Sequence, residues 1–245
     1  MGNERFHIPR IPADVRIRNA SHVRSLICQI YSQRPVICLN ANTVKEECSS
    51  DRKLLLVFFG SPHKNGTSAK LLTAFLEPFY GNAEIRIINA YEQNIAPCLG
   101  CNLCASEQTC SQRDFDELDL LIRRADAIVV ATPVYNLGFP APLKAIIDRT
   151  QRYYAARFSL GISKPIEKHK TAVLLVTCGS PASEDADVLY RQLKRVFSVT
   201  NTALKGMAVW ADTDALGGHS TFANARKAAQ DLALAILCEM CYHKM

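Results

Sequence analysis

From Lys53 onward the chain alternates between two kinds of hydrophobic pattern. Three runs, LLLVFF (54–59), AIVVAT (127–132) and AVLLVTC (172–178), are apolar at consecutive positions and rich in branched side chains. That is how a strand reads when both of its faces are covered. Two weaker runs, EIRIINA (84–90) and GMAVWA (206–211), have polar neighbours and suit the edges of a sheet. Between the runs the apolar positions repeat with helical spacing. The stripes are Leu72/Phe75/Leu76/Phe79, Phe115/Leu118/Ile122/Ala125, Leu143/Ile146/Ile147/Thr150, Leu189/Leu193/Val196/Phe197 and Phe222/Ala225/Ala229/Leu232/Ile236. Asp114 with Glu117 three residues later predicts a capping box at the start of the second helix.

Strand and helix thus alternate five times. Such alternation predicts an α/β fold with a parallel sheet and helices on both faces. Right-handed crossovers leave few topologies, and a doubly wound five-stranded sheet of order 2-1-3-4-5 is the natural one. Residues 1–52 stand apart. They are polar, contain Pro9, Pro12 and Pro35, and carry one short amphipathic patch at Val23, Leu26, Ile27 and Ile30. They are expected to form a partly ordered arm, leaving residues 53–245 as the domain.

Composition adds mainly exclusions. The 245 residues are 48% hydrophobic and 21% charged, which is ordinary for a globular chain. A net charge of +6 comes from scattered Lys and Arg residues, so nucleic-acid binding is not expected. No apolar window is long enough to span a membrane. The first residues lack the apolar core of a secretory signal, so a cytoplasmic location is expected. There, clustered cysteines point to metal or redox chemistry more than to disulfides.

In doubly wound sheets ligands bind beyond the carboxyl ends of the strands, at the switch point between the first and third. The loop after the first strand, GSPHKNGTSAKLL, places Gly60, Ser61, Asn65, Gly66, Thr67 and Ser68 at the start of a helix. Short hydroxyls, glycines and a helix N-terminus together make an anion site sized for one phosphate. The chain lacks a G-x-x-x-x-G-K-[ST] loop and a G-x-G-x-x-G turn here, so a phosphate monoester fits better than a triphosphate or a dinucleotide. After the third strand, TPVYNLGFPAPLKAIIDR is stiffened by Pro133, Gly138, Pro140 and Pro142, with Tyr135 at its crest. Rigid backbone amides beside an aromatic can grip a flat heterocycle. After the fourth strand, Gly179 permits close approach of a ligand, while Cys178 reads as a core cysteine at the strand end.

The stretch PCLGCNLCASEQTC (97–110) holds four of the chain's ten cysteines. Cys98, Cys101, Cys104 and Cys110 are spaced C-x2-C-x2-C-x5-C, the close spacing of ferredoxin-type cluster loops. Structural zinc more often uses two separated C-x-x-C knuckles. A [4Fe–4S] cluster, zinc, and a loop that only packs are the readings open. Arg113 is a candidate to offset thiolate charge, but a solvated arginine is the preferred reading. No Ser/His/Asp or Cys/His constellation is evident, so no catalytic side chain is assigned and a cofactor is expected to carry the chemistry.

Over residues 53–240, the loop GSPHKNGTSAKLL, the segment ADAIVVATPVYNLGFPAPLKAIIDR and the cysteine run resemble the flavodoxin-like NAD(P)H-dependent FMN reductases. More narrowly, they resemble the iron–sulfur flavoproteins. The resemblance implies a flavodoxin-like fold and an FMN-dependent oxidoreductase. In it Ser61, His63, Asn65, Gly66, Thr67 and Ser68 would hold the FMN phosphate. Pro133, Val134, Tyr135, Asn136 and Gly138 would line the ring system, and Cys178, Gly179 and Ser180 would lie at its pyrimidine edge. Cys98, Cys101, Cys104 and Cys110 would hold a [4Fe–4S] cluster exchanging electrons with FMN. Relatives commonly carry Arg where this chain has His63. NAD(P)H or a ferredoxin-like carrier would be the electron partner, and the chain would form a dimer or tetramer, for which Tyr153 and Tyr154 are candidate interface aromatics. The alternative reading is an NAD(P)H-dependent FMN or quinone reductase whose cysteines carry no cluster; a redox or metal sensor on the same scaffold is a third.

Overall fold

The computed structural model of the chain describes residues 52–181, 184–215 and 219–242. The arm read over residues 1–52 therefore lies outside the described residues except for Arg52. Five strands, β1 (Leu54–Phe59), β2 (Glu84–Asn89), β3 (Ala127–Pro133), β4 (Lys170–Thr177) and β5 (Thr202–Trp210), form one sheet in the order β2-β1-β3-β4-β5. Every neighbouring pair is parallel. This is the flavodoxin-like order expected from the sequence.

The helices follow as α1 (Thr67–Leu76), α2 (Leu103–Ser106), α3 (Asp116–Arg124), α4 (Ala141–Asp148), α5 (Gln151–Phe158), α6 (Asp185–Val199) and α7 (His219–Tyr242). Consecutive strand residues point to opposite faces, so the sheet feeds two cores. Leu54, Leu56 and Phe58 face Phe115, Ile122, Leu143, Ile146, Leu189 and Phe197 of the α3, α4 and α6 side. Leu55, Val57 and Phe59 face Leu71, Phe75, Ala229 and Ile236 of the α1 and α7 side. Each fully buried aliphatic side chain contributes about 1.5–3 kcal/mol, which is why β1 and β4 are buried along their whole length. The strands at the two edges, β2 and β5, are those whose runs have polar neighbours.

Three details depart from the sequence reading. β5 starts at Thr202, upstream of the run at 206–211, opposite a register shift between Ala172 and Val173 of β4. The second crossover helix begins at Asp116, and no side chain caps it. Asp114 is instead drawn away by Ala96 and Arg149, so the expected capping box does not form. Two helices, α2 and α5, have no clear stripe in the sequence; they pack on one another.

At the amino ends of the strands, Asp126 accepts from the Leu54 N–H at 2.9 Å and pairs with Lys53 and Lys168, each at 3.0 Å. Beside this group Lys170 is fully buried, and its Nζ donates to the Lys168 carbonyl at 3.0 Å. Burial, with the positive charges of Lys168 and Arg123, lowers its pKa from 10.5 to about 8. The folded state therefore holds this proton less tightly than the unfolded chain. The penalty is full below pH 8 and fades as pH rises toward 10.5. Lys170→Met is expected to stabilise the fold at neutral pH by about 2 kcal/mol, with the gain shrinking toward zero as pH approaches the lysine range. Urea unfolding of both proteins across that range measures it.

Candidate functional site

β1 and β3 are neighbours, and their crossovers leave for opposite faces, so their carboxyl ends form the switch point at which doubly wound sheets bind ligands. In the first loop, the Gly60 N–H donates to the Ala131 carbonyl at 2.8 Å. A Cβ on Gly60 would lie 2.5 Å from Cδ2 of Leu143 and 3.0 Å from Oγ1 of Thr132, so a larger residue there would have to push the Leu143 side chain aside. Ser61 is buried, and its Oγ accepts the His63 N–H at 3.2 Å. Ser68 is buried with its Oγ 2.6 Å from Oγ1 of Thr177, tying α1 to the end of β4. These two hydroxyls thus brace the loop. His63 and Asn65 are exposed, and Gly66 and Thr67 are half-buried around the start of α1, which no side chain caps. The first N–H groups of a helix have no partner within it.

The loop after β3 is a tight hairpin. Val134 donates to the Thr177 carbonyl at 3.0 Å, holding the loop against β4. Tyr135 and Gly138 exchange backbone hydrogen bonds of 3.0 and 2.9 Å around Asn136 and Leu137. Both of those residues are left-handed, with φ of 49° and 58°. This is the signature of a type I′ turn, which most sequences build with Asn-Gly. Pro133 and Val134 are half-buried, while Tyr135 and Asn136 are exposed at the crest.

After β4, Cys178 takes the core position at the strand end that its sequence context suggests. Its side chain is buried in the core on the α4 and α6 side, where burial, aided by Asp185, raises its pKa to about 11. Its N–H donates to Trp210, and its carbonyl accepts from the N–H and hydroxyl of Thr213. Those partners tie its backbone to the end of β5 and the loop after it. Gly179 is half-buried and Ser180 exposed. The Asp212 N–H donates to the Ser180 carbonyl at 2.9 Å, and a Cβ on Gly179 would run into the Asp214 carboxylate.

The cysteine loop leaves β2 on the same edge of the sheet. Left-handed Gly100 and Asn102 (φ 64° and 60°) turn the chain into the single turn of α2. Cys98, Cys101, Cys104 and Cys110 all line one pocket of about 120 Å³, closed by Arg149, Arg152 and Tyr154. Cys98 and Cys101 are exposed; Cys104 and Cys110 are half-buried. The Cys101 thiol lies 3.1 Å from the Ser111 hydroxyl, whose hydrogen bond lowers its pKa. Burial raises that of Cys104, and negative charge on Cys110, Cys98 and Cys101 would raise it further.

Arg149 holds this loop in shape. Its side chain is 2% exposed, and it donates to the Ala96 carbonyl (3.0 Å), the Gln112 carbonyl (3.0 Å), Asp114 (2.7 Å) and the sulfur of Cys110 (3.6 Å). It therefore grips the chain on both sides of the cysteines. Burial draws the Asp114 pKa up, but the Ala96 N–H and the Arg149 guanidinium outweigh it and leave the pKa lowered. Arg113 is the solvated arginine of the preferred reading: it reaches Thr109 and Asp116 from an exposed position. Tyr153 is corrected: it is 1% exposed and donates to Asp119, while Tyr154, in ring contact with Phe158, is the exposed one. Sequence reading missed Arg149 and Arg152. The available signal was an arginine placed three residues after buried Ile146, where a charge must find partners.

Among the described residues, no three Cys, His, Asp or Glu side chains stand close enough to hold a metal ion. The thiols surround a pocket rather than meet at a point, so they do not make a tetrahedral zinc site, in which every sulfur lies about 2.3 Å from one ion. A polynuclear centre gives each thiolate its own metal and keeps the ligands apart. Its chemistry fits the lining: four soft donors, a cation bonded to one sulfur, and a buried nitrogen of Arg152 that makes no hydrogen bond.

The family model for NADPH-dependent FMN reductases matches residues 54–214. The chain belongs to this family, as the sequence resemblance implied. An iron–sulfur flavoprotein of Archaeoglobus fulgidus is 38% identical over 96 residues, covering 38% of this chain and 44% of that protein. An iron–sulfur flavoprotein of Methanosarcina thermophila is 33% identical over 123 residues, covering 49% and 61%. The matches thus span about half the length of these relatives. Among solved structures, an azoreductase of Bacillus anthracis superposes with a TM-score of 0.56 at 16% identity, covering 74% of this chain and 98% of that one, which shows the shared fold. No helix among the described residues is long and apolar enough to cross a membrane.

Removing the carboxylate that faces Arg149 leaves a buried cation short of a partner. Asp114→Ala is expected to destabilise the domain by about 2 kcal/mol, less than a fully buried pair because two carbonyl acceptors remain. Chemical denaturation measures the loss, and faster proteolysis between residues 97 and 113 would locate it.

Proposed function

We propose that this chain is an FMN-dependent oxidoreductase of the iron–sulfur flavoprotein type, moving electrons between FMN, a [4Fe–4S] cluster and an external partner. The observation that carries the reading is the pocket of four cysteines on the same sheet edge as the phosphate-sized loop, in a chain of the FMN reductase family. The names of the curated relatives support it. When bound, FMN supplies two-electron and one-electron chemistry and the cluster supplies one-electron transfer.

The residues divide the work. The uncapped N–H groups of α1, with His63, Asn65, Gly66 and Thr67, bind the phosphate, while Ser61 and Ser68 hold the loop in shape. The backbone of Pro133, Val134, Tyr135, Asn136 and Gly138 orients the flat ring, and its hairpin excludes water from one side. Gly179 and Ser180 meet the pyrimidine edge, with Asp214 close by. Cys98, Cys101, Cys104 and Cys110 hold the iron. NAD(P)H or a ferredoxin-like carrier is the electron partner. Exposed Leu99, Tyr154 and Phe158 around the cysteine pocket suit a subunit contact in a dimer or tetramer. The second reading, an NAD(P)H-dependent FMN or quinone reductase with structural cysteines, is favoured by relatives named FMN-dependent NADH:quinone oxidoreductases.

Anaerobic purification followed by absorption spectra and by iron and sulfide analysis separates the two. Flavin bands with about four irons per chain, the composition of a [4Fe–4S] cluster, are expected. Flavin without iron after reconstitution would establish the second reading. In a parallel titration, Asn65→Ala and Thr67→Val should each weaken FMN binding by about tenfold, the loss of one hydrogen bond to a charged group. Unchanged affinity in both would refute the phosphate loop.

A further inference from the structure

We infer that Arg152 is a charge-tuning residue for the cysteine centre, raising its reduction potential, and that Arg149 is the positioning residue that seats it. This rests on the reading that the four cysteines hold an iron–sulfur cluster.

The two arginines follow one another around the corner from α4 into α5, and both line the pocket. Their surroundings differ. The guanidinium of Arg149 is committed: two carbonyls, Asp114 and the Cys110 sulfur take its donors, and it lies over the Phe115 ring. Its charge is largely balanced by Asp114, so its main effect is on loop shape. Arg152 is 12% exposed and holds no such set. Its nearest carboxylates are Asp116 at 3.5 Å and Asp119 at 3.8 Å, both long for hydrogen bonds. Asp119 is already engaged by Arg123 and Tyr153. The Nη1 of Arg152 is buried and makes no hydrogen bond.

A buried donor without an acceptor costs about 1–3 kcal/mol. Solvent cannot satisfy this one, whose nearest carboxylate is Asp116 at 3.5 Å, and the side chain that carries it also lines the pocket bordered by four sulfurs. An anionic, sulfur-rich group in that pocket would supply an acceptor. Four thiolates around a cluster carry net negative charge, and each added electron increases it. A permanently charged guanidinium in a weakly screened position favours the reduced form over the oxidised one. Hydrogen bonding to sulfur and net charge are the properties that set cluster potentials.

The test uses the intact, reconstituted protein and EPR-monitored redox titration of the cluster. Arg152→Gln should retain flavin and shift the oxidised-to-reduced balance at least tenfold toward the oxidised form, a midpoint lower by about 59 mV for a one-electron couple. Arg152→Lys, which keeps the charge, should restore most of the shift. Arg149→Lys keeps charge but lacks the planar fork, so it should lose iron without a comparable change in the potential of whatever cluster remains. A wild-type potential in Arg152→Gln overturns the inference. If Arg152→Gln loses its iron outright, rescue by lysine supports the role of charge and failure of that rescue overturns it. A wild type that takes up no iron overturns the inference together with the reading beneath it, and is recognised before any potential is measured.

Discussion

A parallel sheet covered on both faces leaves the chain only two edges at which polar chemistry can collect. In this domain the amino edge is closed by Asp126, which joins Leu54, Lys53 and Lys168 in one ion cluster. The carboxyl edge is where the chain turns outward, and all of the candidate chemistry lies there. The hairpin at Tyr135–Gly138, the open start of α1 and the Cys178–Ser180 turn are held in common by Thr177: its hydroxyl meets Ser68 and its carbonyl meets Val134. The last residue of β4 thus ties three loops that are far apart in sequence.

A second constraint acts at the side of this edge. A guanidinium as buried as that of Arg149 must have acceptors around it. The chain provides them from residues on either side of the cysteine run, and so a long loop with little secondary structure acquires a fixed outline. The same requirement explains why Asp114 does not cap α3: its carboxylate is of more use opposite a buried cation than at a helix start.

Much of the fold was legible because burial on two faces leaves a plain mark. Runs such as Leu54–Phe59 and Ala127–Thr132 admit few other readings, and the stripes of α1, α3, α4, α6 and α7 pair with them. The site was legible only as far as local chemistry reached. The loops after β1 and β3 and the cysteine spacing could be read directly. Arg149 and Arg152 could not, because their roles depend on partners more than thirty residues away. The core place of Cys178 could be read from its position at a strand end, whereas the bracing contact of Ser68 could not, because it is set by Thr177 across the sheet. α5 carries no stripe because its buried positions include Tyr153, which needs Asp119 to be accommodated.

The hairpin after β3 has one further consequence. Leu137 holds a left-handed backbone that its side chain resists, at a cost on the order of 1–2 kcal/mol, where glycine would sit without strain. More than half of that side chain faces solvent, so packing returns little. Stability and surface shape are opposed at this one residue. A glycine there would give a more robust protein with a blunter crest, and the leucine gives a sharper crest on a slightly weaker frame.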